Sequence, residues 1–223
     1  MNKGIIMKQA SDQGKLWLVD LLWDLGAIEL GIFNLGNTAV NSPIYINAKI
    51  PLLRPGPLKK IVNLLNNEIE LIKSRRDDSI DNFDIIAGVP VGGLILATAL
   101  GLEKGQSTIY VRKNLNAGIE DVQQIEGSYL PGQTVLIIDD LATGGNSVNN
   151  CIETLRYNGL YVKNAITLID RAEGSSKLLS SSGVKMHSII NLETIAMYLK
   201  ETQKISNKEY EQLQDYIEKS KQE

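Results

Sequence analysis

Apolar and polar positions follow two different spacings along this chain, and the change from one to the other marks its elements. Between Lys15 and Ile28 the apolar residues Leu16, Val19, Leu22, Trp23 and Leu25 recur at helical spacing, with Gly26 as terminator, which predicts an amphipathic first helix. Ser42 to Ile50 alternates through Ile44, Ile46 and Ala48 and predicts a strand; Pro55, Gly56 and Pro57 then break the chain before a helix over Leu58–Lys73. From there the pattern becomes regular. Strands are predicted at Asp84–Val89, Thr108–Val111, Thr134–Ile138 and Val162–Ile169, and helices at Gly92–Lys104 and Ser147–Tyr157. Short apolar runs that alternate with helices in this way predict an α/β fold, with a parallel sheet joined by crossovers and covered on both faces.

Three segments stand outside that alternation. Asn114–Tyr129 is polar, contains Gly118 and Gly127, and has the length of a functional loop, so it is read as a lid. Met186–Leu192 predicts one more strand, and Leu192–Lys200 and Tyr210–Lys219 predict outer helices with alternating charges. There is no internal repeat and no low-complexity tract.

Composition narrows the setting. The 223 residues fit one domain with flanking elements, and 43 % hydrophobic with 22 % charged residues is the balance of a soluble globular protein. No apolar run has the length of a membrane span, and Met1–Lys15 lacks a secretory pattern, so a cytoplasmic location is expected. The single cysteine, Cys151, excludes an internal disulfide or thiolate cluster and falls in a helical pattern, where it is read as packing. A net charge of −3 argues against a nucleic-acid partner. Arg75 and Arg76 are offset at once by Asp77 and Asp78, and that cluster is read as a solvated loop.

The chemistry concentrates in Val135–Ser147, V-L-I-I-D-D-L-A-T-G-G-N-S. Asp139 and Asp140 are expected at the carboxyl end of a buried strand, the edge where open α/β sheets bind ligands. Thr143, Gly144, Gly145, Asn146 and Ser147 offer hydroxyls and approachable N–H groups where a helix begins, which suits a phosphate. The acids could ligate Mg²⁺, accept from sugar hydroxyls, or act as acid and base. Neighbours on a strand point to opposite sides, which favours sugar recognition over a paired acid and base. G-x-x-x-x-G-K-[ST] is absent, and Gly88-Val-Pro-Val-Gly92-Gly93 has the wrong spacing for a dinucleotide fingerprint.

Val135–Ser147 resembles the phosphoribosyl diphosphate (PRPP) motif of the type I phosphoribosyltransferases. Within that superfamily the chain is similar to the orotate phosphoribosyltransferase family over nearly its whole length, through Leu25–Ile28, Gly31–Phe33, Ser42–Ile46, Ala87–Pro90, Ile109–Lys113, Glu126-Gly127 and Leu168–Gly174. The resemblance implies a single phosphoribosyltransferase domain: a central mostly parallel sheet with helices on both faces, a small N-terminal hood with the first helix over 1–55, a core over 56–190 and C-terminal helices over 191–223. It implies that Asp139 and Asp140 hold the ribose hydroxyls and that Leu141, Ala142 and Thr143–Ser147 line the 5′-phosphate site. Arg112 and Lys113 would meet the pyrophosphate, and Arg171, with Thr143, the orotate carboxylate. Mg²⁺, carried mainly by PRPP, and a homodimer with shared lids are implied as well. The implied reaction gives orotidine 5′-monophosphate and pyrophosphate, a step of pyrimidine biosynthesis.

Several positions depart from the family pattern. Asn114–Ser128 holds no Lys, Arg or His and carries Glu120, Asp121 and Glu126, the wrong charge for a lid over a pyrophosphate. Asn34–Pro43 lacks the cations common there, and Gly144 and Asn146 replace a threonine and a glycine. Asn146 is expected to tolerate a positive φ. Losing a lid cation weakens transition-state stabilisation by something on the order of 3 kcal/mol, and Lys49 and Lys104 are the candidates to replace it. Two further readings stay open: a PRPP- or nucleotide-binding regulatory protein of the same fold, and a purine-base phosphoribosyltransferase, disfavoured because Arg171 suits a carboxylate. His187, Trp17 and Trp23 are read as structural, and Tyr45 as either core or base contact.

Overall fold

In the computed structural model, which describes residues 3–35, 39–75, 79–112 and 124–222, the chain opens with helix α1 (Lys3–Asp24) and a hairpin of β1 (Ile28–Leu35) and β2 (Ala39–Ile46). A single turn, α2 (Lys49–Leu52), leads into α3 (Pro55–Lys73), whose first residue is a proline, the residue best suited to a helix start. The alternating part follows as β3 (Ile85–Gly88), α4 (Gly92–Lys104), β4 (Thr108–Val111), β5 (Ile125–Glu126), β6 (Thr134–Ala142), α5 (Asn146–Tyr157), β7 (Tyr161–Asp170), α6 (Ser175–Ser181) and β8 (Lys185–Asn191). Helices α7 (Leu192–Glu201) and α8 (Asn207–Gln222) close the chain.

The main sheet has the order β5-β4-β3-β6-β7-β8 and is parallel except where β5 runs against β4. Chain direction across the sheet reverses between β3 and β6, because β4 lies on one side of β3 and β6 on the other. Crevices form at the carboxyl ends of two such strands. Alternate side chains feed two cores. Ile86, Leu136 and Ile138 pack with α1, α3, α4, α7 and the hairpin, whereas Ile85, Ala87, Val135 and Ile137 pack with Val148, Cys151, Ile152 and Leu155 of α5. Burial on both faces explains why these strands read as continuous apolar runs; each fully buried Ile or Leu contributes about 1.5–3 kcal/mol.

Where the observed elements differ from those predicted, tertiary pairing supplies the reason. Strand β1 is interrupted by register shifts around Leu30, Phe33 and Leu35, which break the alternation that would have marked it. β2 ends at Ile46, four residues before the predicted Ile50, because Lys49 begins α2. β6 does not stop at Ile138: it runs to Ala142 because β7 continues to pair with it through Leu141↔Ile169 and Ala142↔Asp170. The acid pair therefore lies inside a strand rather than after it. β5 occupies part of the stretch expected to be loop, and α6 a stretch for which no element is predicted. Arg75, expected to be solvated, forms an ion pair of 3.5 Å with the buried Glu68. The remaining residues of that charge cluster, 76–78, lie outside the described residues, as do 113–123, the greater part of the expected lid with Lys113.

Candidate active site

Pairing between β3 and β6 ends at Gly88↔Ile138, so the next two residues of β6 emerge beside the end of β3. These are Asp139 and Asp140, 7 % and 5 % exposed. As alternation requires, they face opposite sides of the sheet. Asp139 borders α5 and also accepts a 2.9 Å hydrogen bond at Oδ1 from the Asp140 N–H. Asp140 lies under the start of α4: a Cβ built on Gly92 would stand 2.1 Å from its Cγ. Gly93 packs equally closely on β6 itself, where a Cβ would come within 2.4 Å of the Ile138 carbonyl oxygen. The adjacent glycines thus let backbone, rather than side chain, wall the carboxylates. Asp140 Oδ2 is buried without a hydrogen bond, and its neighbour is the Lys49 ammonium, an ion-pair partner at 3.2 Å that is not aligned for a hydrogen bond.

Beyond the acids, β6 turns through Thr143 and Gly144 into α5. The turn is made by Gly145, at φ +79° with Ser175 and Leu179 packed against it, a position closed to a side chain. Asn146, expected to tolerate that conformation, is instead the first helical residue. Asp139, Leu141, Ala142, Thr143, Gly145, Asn146, Ser147 and Val148 line a cavity of about 280 Å³ at the helix start. No acidic residue stands in the first turn of α5, and its leading N–H groups have no partner within the helix, which makes the cavity suited to a phosphate.

A second cavity of about 320 Å³ lies between Pro90, Arg112 and Ser147, with Cys151 on its floor. Cys151 is packing, as expected: burial, and then the Asp139 carboxylate, push its thiol up to about 12. Disulfide reagents at neutral pH should label the native protein at least about a hundredfold more slowly than the unfolded chain, because the thiolate is the reactive form. Comparable labelling rates would contradict this burial.

Arg171, predicted at the ligand, is 1 % exposed. Its backbone N–H donates to Ala142 O at 2.9 Å, which sets it beside the turn from β6 into α5. Of the five N–H donors on a guanidinium, Nε donates to Glu173 Oε1 at 2.8 Å, Nη1 to Ile44 O at 3.2 Å and Nη2 to the Ser42 hydroxyl at 2.8 Å. One donor remains on each terminal nitrogen. Tyr216 of α8 donates its hydroxyl to the same Glu173 oxygen at 2.8 Å; burial, and then this hydrogen bond, raise its phenol above the ordinary value and keep it a donor. Glu173 Oε2 is buried without a hydrogen bond. The pairing of Arg171 with Glu173 is thus a buried ion pair that joins the hairpin, the end of β7 and α8. Ala172 between them takes φ +58°, held there by its N–H donating to Asp170 Oδ1 at 2.9 Å.

Comparison with known proteins accords with this arrangement. The phosphoribosyl transferase domain matches residues 57–202. The orotate phosphoribosyltransferase of Cenarchaeum symbiosum is 33 % identical over 175 residues, 78 % of this chain and 84 % of that protein. The chain belongs to the orotate phosphoribosyltransferase family. The orotate phosphoribosyltransferase structure from Aeropyrum pernix superposes with a TM-score of 0.70 at 30 % identity, over 85 % of this chain and 99 % of that one. Uridine 5′-monophosphate synthase of Bos taurus is 30 % identical over 203 residues, 91 % of this chain, and the chain spans 40 % of that protein's length.

In this family member the remaining predicted residues are distributed unevenly. Arg112 forms an ion pair with Glu126 of β5, so its charge at the second cavity is partly neutralised. Lys104 points away from the site: it donates at 2.9 Å to both Asn66 and Glu70 of α3, and its hydrogen bond holds the Glu70 carboxyl below its usual range. Lys49 is the candidate that reaches the acids. His187 is buried on β8 with Nε2 3.3 Å from Asn164 Oδ1, and Trp17 packs on the core with the Lys60 ammonium 5.3 Å from its ring, so both are structural as predicted. Tyr45 stacks obliquely on Phe33, with ring centroids 5.7 Å apart. Tyr216 was not legible in the sequence, since its helix reads as a charged outer one. The Gly92-Gly93 pair was a usable signal, because two glycines opening a helix are costly unless something packs on them.

Proposed function

We propose that the chain transfers the phosphoribosyl group of PRPP to orotate, giving orotidine 5′-monophosphate and pyrophosphate. The observation that carries this reading is the placement of two buried carboxylates, at the point where the sheet order reverses, next to an acid-free helix start. Asp139 and Asp140 accept from the ribose hydroxyls. The N–H groups and hydroxyls of Thr143–Ser147 hold the 5′-phosphate. As the C1–O bond to the diphosphate breaks, positive charge grows on the sugar beside the two carboxylates, and the electron pair stays on the diphosphate, to which Arg112 and, from the family resemblance alone, Lys113 are assigned. The acceptor's carboxylate is assigned to the two remaining donors of Arg171, which requires the covered guanidinium to be exposed first, and to the Thr143 hydroxyl. A purine base has no group to match that guanidinium.

Mg²⁺ fits this site as an ion brought by the substrate. Among the described residues no group of three or more His, Cys, Asp or Glu could cage a metal, whereas Asp140 Oδ2 is an acceptor without a hydrogen bond. When bound, the ion supplies positive charge to the diphosphate oxygens. A homodimer, with each lid reaching the neighbouring site, belongs to the same proposal.

Orotate consumption with PRPP and Mg²⁺, followed by absorbance, tests the reading. Turnover that depends on both substrates is expected. A protein that is thermally stabilised by PRPP but consumes no orotate would instead be a regulatory PRPP-binding protein, a reading that the Arg112–Glu126 pair favours. Asp140→Asn keeps the side chain's shape and should weaken PRPP binding by about tenfold to about a hundredfold, the range for hydrogen bonds to a charged group. Unchanged affinity by calorimetry would remove Asp140 from the site.

A further inference from the structure

We propose that Lys49 is the cation that meets the departing diphosphate in this chain, a catalytic role that rests on the acid pair being the PRPP site. Its ammonium is 3.2 Å from Asp140 Oδ2, an oxygen that has no hydrogen bond and so keeps its acceptor capacity for a sugar hydroxyl. Lys49 opens α2, and the Pro51 and Leu52 that follow are buried, so its backbone is anchored while its side chain is 48 % exposed and free to pivot. On its other side Asp140 is walled by Gly92, which leaves no room there for a second side chain.

Among the described residues, the other basic groups that reach the site are engaged with carboxylates that take no part in the proposed chemistry. Arg112 is paired with Glu126 and Arg171 with Glu173, whereas Lys104 points away, to Glu70. Lys49 differs, because its partner is the substrate-binding carboxylate itself. In the empty site the ammonium offsets the buried charge of Asp140. Once ribose hydroxyls donate to that carboxylate, the lysine is released next to the anomeric carbon and its diphosphate. No Lys, Arg or His lies in Asn114–Ser128, so the lid brings no cation of its own.

The C1–O bond breaks with its electron pair on the diphosphate, and the acceptor's ring nitrogen forms the C1–N bond and yields its proton to the diphosphate. Lys49 keeps its protons throughout and acts by charge. A point charge on a flexible stem suits a group that must hold a carboxylate first and a phosphate oxygen later.

Lys49→Gln and Lys49→Arg in the full chain test this. At saturating PRPP and orotate, kcat of Lys49→Gln should fall by about tenfold to about a hundredfold, with KM for PRPP changed by less than about threefold, and Lys49→Arg should recover most of the rate. Calorimetric binding of pyrophosphate at fixed Mg²⁺ should weaken by about tenfold or more in the glutamine variant alone. A glutamine variant within about twofold of wild type in both measurements overturns the proposal. So does a lowered Tm with unchanged pyrophosphate affinity, the result for a lysine that only neutralises Asp140. If the wild type consumes no orotate, the acceptor assignment fails by itself, and the pyrophosphate measurement still decides the role of Lys49.

Discussion

Arg171→Ala should destabilise the protein by about 3–5 kcal/mol, a large share of the roughly 5–15 kcal/mol that holds a domain folded. The guanidinium has no solvent-facing surface, and Glu173 is only 3 % exposed. Removing Arg171 leaves that carboxylate buried with a single donor, the Tyr216 hydroxyl, and takes one hydrogen bond each from the Ile44 carbonyl and the Ser42 hydroxyl, which keep the 2.8 Å bond between them. Arg171→Lys should recover little, because one ammonium cannot reach three acceptors set in the fork of a guanidinium. Removing both charges is a different experiment. Arg171→Met with Glu173→Leu should regain most of the lost stability, since the cost of a broken buried pair lies mainly in the charge left behind. Urea unfolding of the two single variants and the double variant measures the coupling. A single-variant loss below about 1 kcal/mol would mean that the pair is solvated. The double variant should fold and still bind PRPP while failing to use orotate, which separates the structural role of Arg171 from its proposed role at the acceptor.

The second large effect falls on Gly92 and Gly93, where the same substitution should give opposite outcomes. In Gly92→Ala the three atoms nearest the new methyl group all belong to the Asp140 carboxylate, with Cγ at 2.1 Å and Oδ2 at 2.2 Å. A side chain can turn aside, so the cost falls on the position of the carboxylate. PRPP affinity should drop by about tenfold or more, with a stability loss of about 1 kcal/mol. In Gly93→Ala the methyl group meets backbone, 2.4 Å from Ile138 O and 2.8 Å from Asp139 Cα. The start of α4 must then lift off β6, and a loss near the upper end of the 1–3 kcal/mol found for overpacked sites is expected. Calorimetry with PRPP beside thermal unfolding of both variants tests the contrast. Gly92→Ala with native PRPP affinity would show that Asp140 has room to move without consequence.

Gly92 and Gly93 looked like a phosphate-binding turn with the wrong spacing, and only the packing of α4 on β6 assigns them to walling the acids. Arg171 is expected at the ligand, but nothing in the local sequence announces that it and Glu173, two residues on, are buried together. Ser42, Ile44 and Tyr216 close over them from β2 and α8, far away along the chain.

What the sequence determined by itself was the alternation of strands and helices, the two-sided burial of β3, β6 and β7, and the glycine turn after β6, since each depends on local spacing and residue type. The tertiary structure alone decided which charges meet. Lys49 reaches Asp140, Arg112 is tied to Glu126, and Lys104 turns outward to α3. Charged side chains are long and their contacts are set by which distant segments pack together, a property that no local pattern of apolar and polar residues encodes.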